Sequence, residues 1–160
     1  MSLVIDRQSL LVDAPGTATL SSIEETIAVE GLTLGLDAVP SNATVADWLA
    51  AGAPGSPSAL GDPADHLLAG LTATLINGRI LEVSPGPRRA VGPDLLALLV
   101  GANDRFGRID RAWLRVHLRS AAPVRIALPS YPLDPPLNEG ESALLERLAT
   151  ELVLDSNSLI

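Results

Sequence analysis

The 160-residue sequence contains no cysteine, no lysine and only two histidines. Without cysteine the chain has no disulfides, no thiolate metal sites and no thiol catalysis, which fits a reducing compartment. Without lysine it has neither a Schiff-base lysine nor the lysine of a Walker-type phosphate loop. The two histidines, His66 and His117, leave little material for a histidine metal site, so no metal is expected.

Aromatic residues and long apolar runs are scarce as well. The chain has two tryptophans, one tyrosine, one phenylalanine and a net charge of −8. This composition serves base stacking and phosphate binding poorly, so no nucleic-acid partner is expected. The longest apolar run, residues 95–100, is too short to span a bilayer, and the first residues lack the features of a signal peptide. These absences predict a cytoplasmic protein without a membrane partner.

What is present is typical of a globular domain rich in turns. Apolar residues make up 47% of the chain, which is enough for a hydrophobic core, and 13 glycines and 13 prolines indicate many turns. The length fits one domain. Nine of the 11 basic residues, all arginines, lie within residues 79–128, between two acidic stretches. Such a basic block binds phosphates or pairs with its own acidic flanks, and the second interpretation is favoured.

Signals for short strands and helices begin at the amino terminus. Residues 3–12 carry two apolar triplets around a polar turn, which predicts a hairpin. Ser21 and Ser22 each precede a glutamate by three residues, the spacing of a capping box, and predict the start of a helix. Gly31 is the expected end of that helix.

The middle of the chain predicts a second helix, a loop, a hairpin and a third helix. Thr44 is the expected N-cap of a helix over residues 45–51. Residues 52–63 predict a loop rich in glycine and proline, either a functional loop, as its length often indicates, or a plain crossing of the surface. Asn77-Gly78 lies between two apolar runs and predicts a hairpin with a type I′ turn. Pro93 and Asp94 begin a short buried helix that Gly101 ends.

The last third of the chain predicts two strands, an extended arm and a helix. Residues 109–119 alternate with a period of two, which is typical of a half-buried strand, and residues 124–128 are the expected last strand. The residues expected on its buried face are Ala112, Leu114, Val116 and Leu118. Residues 129–136 contain four prolines and are expected to be extended, and residues 139–153 predict an amphipathic helix. The leucines of that helix stripe are Leu144, Leu145, Leu148 and Leu152.

These elements predict an α+β fold with about five mostly antiparallel strands and short flanking helices, followed by a carboxyl-terminal arm and helix. The expected units are residues 1–128 and residues 129–160. Few constellations carry chemistry: residues 61–66 combine two carboxylates and a histidine, for which a structural role is favoured. The glycine-flanked loop over residues 101–109 can present backbone N–H groups to an anion or a planar ring. No catalytic residue is assigned.

Several segments in a fixed order resemble one protein family. They are residues 30–34, 43–49, 70–83, 92–101, 106–109 and 114–117. Together they resemble the second subdomain of an FAD-binding domain of the vanillyl-alcohol oxidase and p-cresol methylhydroxylase type, which includes the FAD-binding subunit of glycolate oxidase. The resemblance covers residues 3–119, and the first subdomain with its pyrophosphate loop and the substrate-binding cap domain of the family have no counterpart in it.

The resemblance implies a set of residues near FAD. They are Gly52, Ala53, Gly55, Ser56, Gly61, Asp65, Gly70 and Gly107. The sequence departs from the family where paired glycines are replaced by Ala46 and Asp47. It departs again where the family's Gly-Ser-Glu-Gly is replaced by residues 101–104, which lack the second glycine. Only glycine adopts a positive φ there at little steric cost. These departures favour an isolated chain without a cofactor, with FAD binding as the alternative.

Two functions remain open at this point. The preferred hypothesis is a non-enzymatic interaction or assembly protein, because half of a two-subdomain unit exposes an apolar face. A homo-oligomer or a partner protein would cover that face. The alternative is an FAD-binding component of a flavin-dependent oxidoreductase that a partner chain completes, in which FAD supplies the redox chemistry. The initiating methionine and the tail suggest a short natural protein.

Overall fold

The computed structural model describes residues 3–36, 42–55, 67–85, 95–121 and 138–154. Its elements are β1 (Val4–Asp6), β2 (Leu11–Pro15), α1 (Leu20–Ala28), β3 (Leu32–Thr33), α2 (Val45–Ala50), β4 (Leu68–Leu75), β5 (Ile80–Val83), β6 (Gly107–Arg115), β7 (His117–Leu118), a short 3-10 helix (Arg119–Ala121) and α3 (Glu139–Leu154). The predicted α+β fold is therefore confirmed.

Five strands form one antiparallel sheet in the order β1-β2-β6-β4-β5. The central strand β6 pairs with β2 on one side and with β4 on the other. The short strands β3 and β7 form a separate antiparallel pair. Sequence neighbours β1 and β2, and β4 and β5, are the two hairpins that residues 3–12 and Asn77-Gly78 predict.

The alternation along β6 follows the burial expected from the sequence as far as the strand lasts. Ala112, Leu114 and Val116 are buried, whereas Trp113 is half-buried on the opposite face. The expectation for Leu118 is wrong, since its side chain is 49% exposed. The reason is a change of partner: the chain leaves the five-stranded sheet after β6, and β7 pairs with β3 instead.

Helix α1 begins earlier than the serine pair predicts. The N-cap is Thr19, whose hydroxyl accepts a hydrogen bond from the Ser22 amide. Thr19 also forms a bridge with Thr44, a contact between distant parts of the chain that a local capping pattern does not reveal. The Glu24 carboxylate accepts hydrogen bonds from the Thr33 hydroxyl and the Leu34 amide at 2.6 and 2.9 Å. This carboxylate ties α1 to the chain segment that follows β3.

Helix α2 has the predicted N-cap. The Thr44 hydroxyl accepts from the Asp47 amide at 3.1 Å and donates to the Asp47 carboxylate at 2.6 Å. The Trp48 indole N–H donates to the Pro54 carbonyl at 2.9 Å, which holds the residues after the helix against it. Gly31, the predicted end of α1, has a φ of +72° and lies three residues past the last helical residue.

The turn at Asn77-Gly78 is a hairpin turn, but not of type I′. Only Gly78 has a positive φ, whereas type I′ needs one at both positions. The Gly78 amide donates to the Leu75 carbonyl, and the Leu75 amide donates to the Arg79 carbonyl. This pattern is that of a three-residue loop with glycine in the left-handed position.

The predicted short helix before Gly101 is a series of turns over residues 95–100, and its expected start at Pro93 and Asp94 lies outside the described residues. Leu96 and Leu99 are buried, but Leu95 is 42% exposed, so burial all round the segment is wrong. A helix of this length would have few internal hydrogen bonds, so the packing of Leu96 and Leu99 decides the shape of the segment.

Helix α3 begins with reciprocal bonds at 2.9 Å between Asn138 and Glu141, each amide donating to the other side chain. Of its predicted stripe, Leu145 packs on the core together with Ala149, whereas Leu144 and Leu148 are 55% and 42% exposed. The predicted strand over 124–128, the proline-rich arm over 129–136 and the boundary between residues 128 and 129 lie outside the described residues.

The core lies between the sheet and helices α1 and α2, and it is apolar throughout. Trp48, Leu71, Ile109 and Leu114 are at most 2% exposed, and no polar or charged residue is buried in the described part of the chain. Within the same residues, no helix has the length and hydropathy needed to cross a membrane. Nor do the described ranges contain a group of three histidine, aspartate or glutamate side chains able to hold a metal ion.

Candidate functional site

Two glycine-bounded loops meet at the carboxyl end of α2. We call residues 51–55 and 101–106 the joined loops. Their closest approach lies between Gly52 and Gly101, where a Cβ atom added to either residue would be 3.8 Å from the Cα atom of the other. Both glycines have a positive φ, +87° and +77°, which glycine adopts without steric cost.

Backbone hydrogen bonds fasten the joined loops to α2. The amides of Gly52 and Gly101 both donate to the Leu49 carbonyl at 3.0 Å, and the Asn103 amide donates to the Ala50 carbonyl at 2.9 Å. The Ala53 amide donates to the Trp48 carbonyl at 2.8 Å. The last turn of a helix leaves carbonyls without intrahelical partners, and the loop amides satisfy them.

This use of the amides corrects one expectation for the loop over residues 101–109. The N–H groups of Gly101 and Asn103 point into α2, so they do not form a free cradle for a phosphate. What these two residues offer outward is therefore their backbone shape and, at Asn103, a side chain.

The backbone of the second loop keeps left-handed conformations despite the missing glycine. Asn103 and Asp104 have φ values of +49° and +59°. Asparagine and aspartate are the non-glycine residues that adopt this region most readily. The substitution of glycine in residues 101–104 therefore changes the side chains that the loop presents, while the left-handed turn itself is kept.

The other departure from the family pattern lies at the start of α2. Ala46 is 2% exposed, and its amide donates to the Gly16 carbonyl at 2.9 Å. Asp47 is exposed, and its carboxylate is bound by the Thr44 hydroxyl. The two residues that replace the glycine pair thus serve packing and helix capping.

The predicted cofactor residues fall into three groups. Gly52, Ala53 and Gly55 lie in the first of the joined loops, and Gly52 is close to Gly101. Gly107 begins β6 directly after the second loop. Gly70 lies within β4, away from both loops in the chain. The structure thus brings four of these residues to one region, while Ser56, Gly61 and Asp65 lie outside the described residues.

Gly70 and Gly107 also have a role in the sheet. A Cβ atom on Gly70 would be 2.8 Å from the Pro85 nitrogen and closer still to the Val83 carbonyl. On Gly107 it would be 2.6 Å from the Thr74 carbonyl oxygen. Real Cβ atoms do not tolerate such contacts, so both positions need glycine for close backbone packing, whatever they contact otherwise.

An open groove of about 310 Å³ lies beside the second loop. Its lining residues are Ala97, Leu98, Val100, Gly101, Ala102, Asn103, Arg105, Phe106 and Leu145. Most of these side chains are apolar, and Arg105 is exposed, with no carboxylate within 4 Å of it among the described residues. Leu145 comes from α3, which closes one side of the groove.

The sequence analysis included Asn103 and Arg105 only as part of a loop whose backbone was the candidate, and it did not place Leu145 beside that loop. The tolerance of asparagine for left-handed backbone is a signal that could have drawn attention to Asn103. Leu145 was recognised as part of an apolar stripe, but periodicity says nothing about which surface a stripe contacts. No signal in the sequence joins α3 to the loop over residues 101–106.

Two residues whose pKa values are shifted by their surroundings, Arg111 and His117, lie in strands. The hydrogen bonds that Arg111 donates to Asp13 raise the pKa of this guanidinium, and one of them spans 2.8 Å. Burial lowers the pKa of His117, with the charge of Arg115 as a second cause. His117 pairs with Thr33 between β7 and β3, so its role in the structure is strand pairing.

No protein-family model matches the chain, and no curated protein matches it significantly. Among solved structures it is similar to alkyldihydroxyacetonephosphate synthase in two crystal forms. The P212121 form has a TM-score of 0.60 and 23% identity, over 72% of this chain and 20% of that one. The P1 form has a TM-score of 0.59 and 22% identity, over 72% and 21%. At this identity the likeness shows the fold alone: the matched part of this chain folds like a part of that synthase.

Proposed function

We propose that this chain is an FAD-binding component of a flavin-dependent oxidoreductase, and that its joined loops contact the cofactor. The chain spans about a fifth of the length of the synthase structures that it resembles, so a whole enzyme's activity is part of the proposal. When bound, FAD supplies the redox chemistry. The protein supplies orientation and a surface that excludes water.

The observation that carries this proposal is the retained backbone of the joined loops. Six residues with positive φ lie in residues 52–55 and 101–104, and three of them are not glycine. They are Gly52, Ala53, Gly55, Gly101, Asn103 and Asp104. Such conformations cost free energy outside glycine and cluster at ligand sites. The left-handed φ values of Asn103 and Asp104 therefore support a ligand contact at these loops, in addition to the bonds that the loops make to α2.

The contact that we propose is with the apolar and planar parts of FAD. The amides of Gly101 and Asn103 are already bonded to α2, and the groove beside them is lined mostly by apolar side chains. The pyrophosphate would then be held by another segment or another polypeptide. Such a separation of the flavin contact from the pyrophosphate contact agrees with the resemblance, which does not include the pyrophosphate loop of the family.

A second candidate is a non-enzymatic assembly protein with the same fold. Two exposed leucines of α3, Leu144 and Leu148, favour it, because they lie one turn apart on one face. A second copy or a partner protein would cover this face. In that case the joined loops serve only to cap α2.

One experiment separates the two candidates. The purified chain is mixed with excess FAD and passed over a sizing column, with light scattering and absorbance in the flavin bands recorded together. Flavin that co-elutes with the protein supports the oxidoreductase proposal. A colourless protein peak overturns FAD binding by this chain, and a mass of two copies or more then supports the assembly candidate.

A matched pair of variants tests the site. Gly55 and Gly78 both have a φ of +78°, so an asparagine at either position must adopt the same left-handed φ. Gly55 lies in the joined loops, whereas Gly78 lies in the turn between β4 and β5. We expect Gly55→Asn to weaken FAD binding and Gly78→Asn to leave it unchanged. Equal binding by both variants would remove Gly55 from the site.

A further inference from the structure

Helix α3 lies over the surface that the proposed function assigns to the flavin. Leu145 lines the groove together with Gly101, Asn103 and Phe106 of the second joined loop. Leu145 and Ala149, one turn apart, are the α3 side chains that pack against the core. One face of α3 therefore occupies part of the space next to residues 101–106.

The groove that α3 leaves open is small for the proposed cofactor. Its volume of about 310 Å³ is at the lower end of ligand pockets, which run from about 300 to 1,000 Å³. FAD carries a three-ring system, a ribityl chain and an adenosine. With Leu145 in place, the groove accommodates only a part of such a ligand.

The attachment of α3 is weak compared with that of the sheet. Leu144 and Leu148 remain 55% and 42% exposed, so these two leucines of the apolar stripe are only partly covered. Strand β6, by contrast, is paired along both of its edges, with β2 and with β4. Elements with few buried contacts open locally at lower free energy than the core strands do.

We propose that α3 is a lid over the joined loops, and that FAD and the Leu145 face of α3 compete for the surface of residues 101–106. This inference rests on the proposed function of the same loops. The closed arrangement lowers the apparent affinity for FAD by the fraction of molecules in which the lid is open. Binding of FAD in turn shifts the population towards the open lid.

The test uses two aspartate variants of the full-length chain. Leu145→Asp puts a charge on the face of α3 that packs on the groove. Leu148→Asp makes the same change on the exposed face, where Leu148 is 42% accessible. We expect Leu145→Asp to tighten FAD binding at least about fivefold, the lower end of ordinary coupling between sites. Leu148→Asp should bind FAD as the unmodified chain does.

A second measurement does not depend on how the variants fold. Hydrogen exchange of the α3 amides is recorded in the unmodified chain with and without saturating FAD. Faster exchange of α3 with FAD, together with unchanged exchange of β6, supports the lid. Unchanged or slower exchange of α3 in the presence of bound FAD overturns it.

The outcomes for the two proposals are distinguishable. If FAD binds equally well to the unmodified chain and to a folded Leu145→Asp variant, the lid is wrong and the cofactor proposal stands. If neither the chain nor Leu145→Asp binds FAD, both proposals fall. Circular dichroism of each variant shows whether the sheet has formed before the titration is read.

Discussion

The five-stranded sheet and helix α3 use the same residue type in opposite ways. Leu71 in β4 and Leu114 in β6 are 0% exposed, whereas Leu144 and Leu148 in α3 are 55% and 42% exposed. The leucines of the sheet are enclosed by strands on both sides and by helices above them. Those of α3 meet one surface only. An apolar pattern therefore identifies an element, while the number of surfaces around that element decides how much it buries.

The strongest way to test this comparison is to remove a leucine from each region. Leu71→Ala leaves a cavity in a closed core, and we expect the free energy of unfolding to fall by about 2–5 kcal/mol. Leu148→Ala changes an exposed side chain and should alter it by at most about 0.5 kcal/mol. Urea denaturation of both variants measures the difference. Equal losses would mean that α3 is packed as tightly as the sheet.

A smaller effect is expected where a carboxylate joins α1 to the segment after β3. In Glu24→Gln, the amide nitrogen cannot accept from the Leu34 amide as the carboxylate oxygen does at 2.9 Å. Hydrogen bonds to charged groups contribute about 1.5–3 kcal/mol, so a loss towards the lower end is expected at this half-buried site. Glu25→Gln, on the exposed side of the same helix, is the control and should be neutral. An equal loss of stability in both variants would argue against a specific contribution from the bond between Glu24 and Leu34.

The third test weakens the packing of α3 against the core. Leu145→Ala shortens a partly buried side chain and should weaken the docking of α3 by about 1 kcal/mol. The effect should stay local: amides of α3 exchange faster with deuterium, while those of β6 keep their protection. Loss of protection in β6 as well would show that α3 and the sheet unfold as one unit.

The smallest expected effect concerns pH at the β3–β7 pair. Burial, and then the charge of Arg115, lower the pKa of His117 from its ordinary value of 6.5. The unfolded chain therefore binds this proton more readily, so the folded state loses stability as the pH falls below the ordinary value towards the lower folded one. Urea midpoints between pH 7.5 and 5 should fall more for the unmodified chain than for His117→Gln. Parallel curves would contradict this role of His117.

Much of the fold could be predicted because its signals are local. The N-cap at Thr44, the strand through Leu114 and the helix over residues 139–153 each depend on residues within one turn or on a simple alternation. The failures have non-local causes. Thr19 rather than a serine caps α1 where the chain bridges to Thr44, and Leu118 is exposed because β7 changes its pairing partner.

The candidate site was less predictable than the fold. Gly52 and Gly55 drew attention as glycines of a loop rich in glycine and proline, and the structure brings Gly52 next to Gly101. The use of loop amides by the carbonyls of Leu49 and Ala50 could not be foreseen, because it joins segments about 50 residues apart in sequence. Whether FAD binds there stays a prediction that the proposed titration tests.

The amino-acid sequence by itself determined the α+β class, the hairpins and the amphipathic character of α3, since short-range propensity and periodicity govern them. Only the tertiary structure decided which amides of the joined loops are used, which half of the α3 stripe is covered, and that Leu145 borders the groove. The physical reason is that a hydrogen bond or an apolar contact is completed by a partner distant in sequence. The chemistry of a residue determines which kind of contact it forms, and the packing of the chain determines which neighbour forms it.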